Sequence, residues 1–131
     1  MKLSDQQFEF AKDISLLEQW MIKHGYKFTY GEAWRTDTMQ KLYYDMGLSK
    51  IEERGPHGDR LARDYNIWVD GQWIGLLIKT DKDYFRIKKI LQPIGDYWES
   101  LNPLNRWGGN WRGFGRSKKR GDIPHFERMK E

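Results

Sequence analysis

Two periods of apolar spacing run along this chain. Between residues 4 and 24, Phe10, Ile14, Leu17 and Met21 recur at three- and four-residue intervals, the signature of one helix face, and Gly25 ends the run. Ser4, with Gln7 three residues on, predicts a capping box at the start. The stripe reads as core, and His24 in the last turn as a structural cation that suits the helix dipole. "YKFTY" (26–30) switches to period two, a strand leading into "GEAWRT". Thr36 or Thr38 can cap a short helix through "MQKLYYDM", closed by Gly47, and residues 48–59 read as a loop. "RLARDYNIWVDGQWIGLLI" (60–78) predicts a hairpin turning at Asp70-Gly71 between Trp68 and Trp73. A helical stretch starts near Asp81 and is expected to be interrupted or restarted at Pro93, with Ile94, Tyr97, Trp98 and Leu101 on one face. Beyond "NPLN", strand-like aromatic pieces mix with glycines and a basic run. There is no repeat and no linker, so the expected architecture is α+β, a single compact domain over 1–131 with helices packed on a small antiparallel sheet.

Composition narrows the possibilities. The 131 residues suit one domain, and seven Trp, seven Tyr and six Phe predict a core built around large rings. A charged fraction of 32% and a mean hydropathy of -0.90 fit a soluble protein, and no apolar run approaches the roughly 20 residues of a membrane span. The first ten residues lack the features of a secretory signal, which predicts a start in the cytoplasm. Cysteine is absent, which excludes disulfides, thiol catalysis and cysteine-held zinc; any metal must be bound by histidine and carboxylate. A net charge of +4 and a pI near 9.2 favour polyanionic partners: nucleic acid, anionic membrane or cell wall.

Candidate chemistry centres on His57 and His125. His57 lies in a Gly/Pro loop, and Asp64, seven residues on, falls in a strand where a carboxylate needs something to offset its desolvation. Two histidines and one carboxylate form a common ligand set for catalytic zinc, with water in the fourth position. "DIPHFE" (122–127) gives His125 two readings, a ligand or a half-buried core residue beside Phe126. Asp122 likewise reads as a turn residue after Gly121, or as a general base and then general acid beside the metal's water.

"HGDRLARDYN", "GGNWRGF" and "DIPHFE", preceded by "GEAWRT", together resemble the Hedgehog/DD-peptidase group of zinc peptidases over roughly residues 5–128. Within it they look most like phage endolysins of the L-alanyl-D-glutamate endopeptidase type. The resemblance implies a Hedgehog/DD-peptidase-like fold, zinc held by His57, Asp64 and His125, and Asp122 as the catalytic carboxylate. It implies that Arg35 contacts the substrate or polarises the scissile carbonyl; Glu32 would either orient Arg35 or lie at the surface. Gly55 and Arg60 stand where many relatives have serine and glycine, which bears on substrate preference, and "RSKKRG" has no fixed counterpart.

The implied function is a zinc-dependent endolysin that cuts the peptidoglycan stem peptide at L-Ala–D-Glu. It would be a monomer with no separate wall-binding domain and no membrane span, kept in the host cytoplasm until released to the wall. Three other readings compete: a D-Ala-D-Ala-type carboxypeptidase of the same fold, a purely structural metal site, and a nucleic-acid-binding module. The last draws on the rings and cations of "NRWGGNWRGFGRSKKRG", but it leaves the histidines unexplained, so no nucleic acid is expected.

Overall fold

The apolar stripe at the N-terminus forms α1, Leu3–Lys23, which buries Phe10, Ile14, Leu17 and Met21. In this computed structural model, which describes residues 1–31, 36–47, 55–113 and 118–131, the expected capping box is not formed. The helix starts one residue before Ser4, on Lys2, with no side-chain cap. A tertiary contact takes Gln7 instead, its amide donating to the Asp59 carbonyl at 2.9 Å. Gly25, at φ +77°, ends α1 as expected. His24 stacks on the Trp20 ring at 4.0 Å and lies 2.8 Å from the Trp20 carbonyl, a structural role.

Strand β1 is Phe28–Tyr30, and α2, Asp37–Asp45, is capped by the Thr36 hydroxyl, which accepts from the Met39 N–H. Strand β2, Ala62–Val69, turns at Asp70 (φ +51°) and Gly71 (φ +77°) into β3, Gln72–Trp73, with Trp68 opposite Trp73. Two successive positive φ values are what a type I′ turn requires, and Asp-Gly supplies them cheaply. The returning strand is shorter than expected, because Ile74–Leu77 coils into the single-turn α3. An unbroken apolar run such as "IGLL" carries no alternation to hold it extended, and only Ile74 of the four is buried.

Helix α4, Asp81–Leu101, opens with a full capping box between Thr80 and Asp83. It runs straight through Pro93, contrary to the expected interruption. A proline inside a helix costs about 3 kcal/mol, while burying one large apolar side chain returns about 1.5–3 kcal/mol. Tyr84, Ile87, Leu91, Ile94 and Trp98 are all buried on α4, so packing outweighs the defect. Pro93 itself faces solvent, where water can satisfy the carbonyl it leaves unbonded.

Strand β4, Asn105–Trp107, leads into a 3-10 turn, Gly108–Asn110, and the chain closes with β5, His125–Arg128. The sheet is antiparallel in the order β1-β2-β5-β4, with β3 paired to β2. This is the α+β architecture the sequence predicts. One face, carrying Tyr65, Ile67, Phe126 and Trp107, packs into a single aromatic-rich core with α1 and α4. Helix α4 lies so close to β4 that a Cβ at Gly95 would overlap the Trp107 ring. Strand alternation puts Asp64, His125 and Glu127 on the opposite face. Among the described residues, no helix is long and apolar enough to cross a membrane.

Gly95→Ala is expected to lower the unfolding free energy by about 1–3 kcal/mol through overpacking against Trp107, read as a lower urea midpoint at unchanged slope.

Candidate metal centre

Asp64 and His125 are paired directly across the β2–β5 ladder. Residues directly opposite on antiparallel strands project to the same side, so the register alone brings carboxylate and imidazole together. His57 arrives from the turn at 56–60, which is tied by Leu61 N–H to the Pro56 carbonyl (2.8 Å) and Asp59 N–H to the Gly55 carbonyl (3.0 Å). The turn needs a left-handed residue, and Arg60 fills it at φ +58°. That conformation suits glycine, the residue many members of the resembled group carry at this place.

The three side chains converge. His57 Nε2 lies 3.2 Å from His125 Nδ1 and 3.4 Å from Asp64 Oδ1, and the third edge, His125 Nδ1 to Asp64 Oδ1, is 3.0 Å. Ligands at about 2.0–2.1 Å from a four-coordinate ion stand about 3.3 Å apart, so the triangle has the size of one tetrahedral face. A proton accounts for one edge at a time; a cation at the centre accounts for all three. His57 and His125 are 5% and 7% exposed, and the Asp64 side chain is 25% exposed. This buried group could bind a metal ion.

Its charges are strongly coupled. Burial pushes the Asp64 carboxyl up, but hydrogen bonds from His125 and His57 outweigh it and bring the pKa down to about 2. Burial pushes His125 down, but contacts with Asp64 and Glu127, helped by the Asp122 charge, raise it to about 9. Without an ion, then, His125 holds a proton between two carboxylates.

Glu127 was not singled out in the sequence. Its Oε1 lies 2.7 Å from His125 Nε2, and the carboxylate is 12% exposed. By accepting the Nε2–H hydrogen bond, Glu127 fixes the tautomer that leaves the Nδ1 lone pair for a metal. The available signal was its position two residues after His125 in a strand, hence on the same face.

The segment 122–125 is held at each residue. Asp122 N–H donates to the Gly108 carbonyl (2.7 Å), His125 N–H to the Asp122 carbonyl (3.1 Å) and Tyr65 N–H to the Pro124 carbonyl (3.0 Å). Trp107 Nε1 donates to the Ile123 carbonyl at 2.8 Å. Gly108, also missed in the sequence, abuts the turn so tightly that a Cβ would overlap the Asp122 carbonyl oxygen and touch His125 Cβ at 3.0 Å. Tyr84 adds a clamp from α4, its hydroxyl donating to the Gly109 carbonyl at 2.6 Å. Asp122 thus sits beside the centre without belonging to the ligand triangle, and its charge is felt at both His125 and Tyr84. Gly31 N–H donates to the Asp64 carbonyl (2.9 Å), placing the end of β1 alongside a ligand. Glu32 and Arg35 lie outside the described residues, as do residues 48–54 of the long loop.

No known family profile matches the chain, and no curated protein does. Among solved structures it is similar to the L-Ala D-Glu endopeptidase ChiX of Serratia marcescens, with a TM-score of 0.56. The chain shares that fold. The likeness covers 92% of this chain and 77% of the other at 20% identity, so it concerns the fold as a whole. Within that fold, the His57, Asp64 and His125 group lies on the sheet surface turned away from α1 and α4.

Two outcomes follow from this candidate metal centre. Glu127→Gln is expected to weaken metal affinity about 10- to 100-fold with the fold intact, measured by competition with a chromogenic chelator. The metal-free protein should be most stable between the ordinary carboxylate pKa of 3.8 and the ordinary histidine pKa of 6.5. The raised His125 contributes stability fully below 6.5 and loses it as pH climbs through about 9; the depressed Asp64 contributes above 3.8 and loses it as pH falls through about 2. Chemical denaturation across pH in chelator reads this profile, and metal binding at pH 7 should release about one proton.

Proposed function

We propose that the protein is a zinc-dependent peptidase that cuts the stem peptide of bacterial peptidoglycan, at the bond between L-alanine and D-glutamate. The observation that carries this reading is the donor triangle with edges of 3.0–3.4 Å, two imidazoles and one carboxylate, with Asp122 pinned at its border. Three protein ligands leave a four-coordinate ion one open position, the arrangement of a catalytic rather than a structural site. The endopeptidase fold supports the reaction class, and the sequence resemblance to phage endolysins supports the bond and the setting.

In this mechanism His57, Asp64 and His125 would hold the ion, and Glu127 fixes the His125 ring through its Nε2–H, leaving Nδ1 free to serve as the ligand atom. Zinc, when bound, supplies Lewis acidity, polarising the scissile carbonyl and making water acidic enough to attack near neutral pH. Asp122 takes the proton from the attacking water and returns it to the departing amine, so one carboxylate serves as base and then acid. Its backbone hydrogen bonds to Gly108 and His125 restrict it to the edge of the centre, where a small displacement would lengthen the proton transfer. Arg35, with Glu32 orienting it, stabilises the charge that develops on the carbonyl oxygen. In this reading the catalytic domain acts on the wall after release from the host cytoplasm.

Metal analysis followed by peptidoglycan digestion and mass spectrometry tests the reading. New L-alanine carboxyl and D-glutamate amino ends support it; release of D-alanine alone would make the enzyme a carboxypeptidase of the same fold. His57→Ala should lose metal and activity together. Asp122→Asn should keep the metal and lose about 100- to 10,000-fold in kcat. Full activity in Asp122→Asn would remove that residue from the mechanism.

A further inference from the structure

Beside the metal centre lies an open cleft of about 400 Å³, walled by Tyr84 and Lys88 of α4, by Trp111 and Arg112 after the 3-10 turn, and by Lys118 and Lys119. Four of the eight described residues that line it are cationic, Phe85 and Asn110 completing the wall, and none of the eight is a carboxylate. The acids at the start of α4 are engaged elsewhere: Asp81 pairs with Arg120 at 2.6 Å, and Asp83 closes the helix cap. The cleft and the centre share a wall, since the Trp111 ring stands 5.1 Å from the His125 ring and Tyr84 feels the Asp122 charge.

We propose that this cleft is a subsite for the acidic side of the substrate, binding the free carboxylate of the glutamyl residue whose amine is released. The proposal rests on the peptidase reading above. In an L-Ala–D-Glu substrate, the glutamyl residue carries two carboxyl groups and only one continues the chain; the other is an anion within one residue of the scissile bond. The rings of Trp111 and Phe85 line the cleft and can cover its methylenes, and Lys88, Arg112, Lys118 and Lys119 line the same space around its charge. Each exposed ion pair contributes little alone, so recognition comes from their number.

The same stretch invites a nucleic-acid reading, which the packing disfavours. Trp107 is fully buried in the core, so of the two tryptophans in "RWGGNW" only Trp111 reaches the cleft. A groove for single-stranded nucleic acid needs successive exposed rings along a track, whereas a cleft of this volume suits a small ligand.

The test compares wild type with the surface variant Lys88→Gln/Arg112→Gln/Lys118→Gln on two stem peptides, one with the free glutamyl carboxylate and one with it amidated. For the acidic peptide the variant should raise KM about tenfold with kcat within about twofold. The amidated peptide should show little difference between the two proteins, and 1 M salt should remove the preference of wild type for the acidic peptide. Equal preference in both proteins overturns the subsite. Calorimetry with the Asp122→Asn protein separates the two readings: if wild type cuts neither peptide, yet acidic-peptide binding depends on the three cations, the subsite stands and the peptidase reading falls. Absence of cation-dependent binding, or tighter binding of a thymidine oligonucleotide than of the peptide, overturns the subsite.

Discussion

Asp64 stands opposite His125 across the β2–β5 ladder, and the centre exists only in that register. Side chains alternate along a strand, so a slip of one residue would turn one of the two into the helix-covered core. The core prevents this. Phe126, next to His125, is fully buried against Tyr65 and Trp98 on the other face, and no polar residue could take its place there cheaply. Arg128 N–H donates to the Leu61 carbonyl and Tyr65 N–H to the Pro124 carbonyl, closing the ladder at both ends. Hydrophobic burial on one face of the sheet therefore positions charge on the other.

The charge of this group is one a cation could share. A half-buried carboxylate is expected to become harder to ionise, yet Asp64 ionises more easily than usual because two imidazoles donate to it. Glu127 adds a second carboxylate to the His125 ring. A proton satisfies this arrangement in the absence of metal, and a bound ion would meet all three donors at once. Proton and metal would thus compete for one place.

What could be read from the sequence was what depends on neighbours in the chain. The α1 stripe, the Thr36 cap and the Asp70-Gly71 turn are local patterns, and each is found where the residues predict it. Pro93 and the Ser4/Gln7 pair misled because tertiary packing overrides local preference: α4 is held by its buried face, and Gln7 serves the turn that carries His57. "IGLLI" misled because an unbroken apolar run has no period. The triad of His57, Asp64 and His125 was legible from residue type once the resemblance fixed their order. Glu127 and Gly108 were not, since one acts through strand register and the other through a close approach between segments distant in sequence.

X-ray absorption at the zinc edge of the reconstituted protein tests the shared ion most directly. The account predicts one zinc per chain with two imidazole nitrogens and oxygen ligands in a four-coordinate shell at about 2.0–2.1 Å. A spectrum with a single imidazole, or a protein that takes up no stoichiometric zinc, would contradict it.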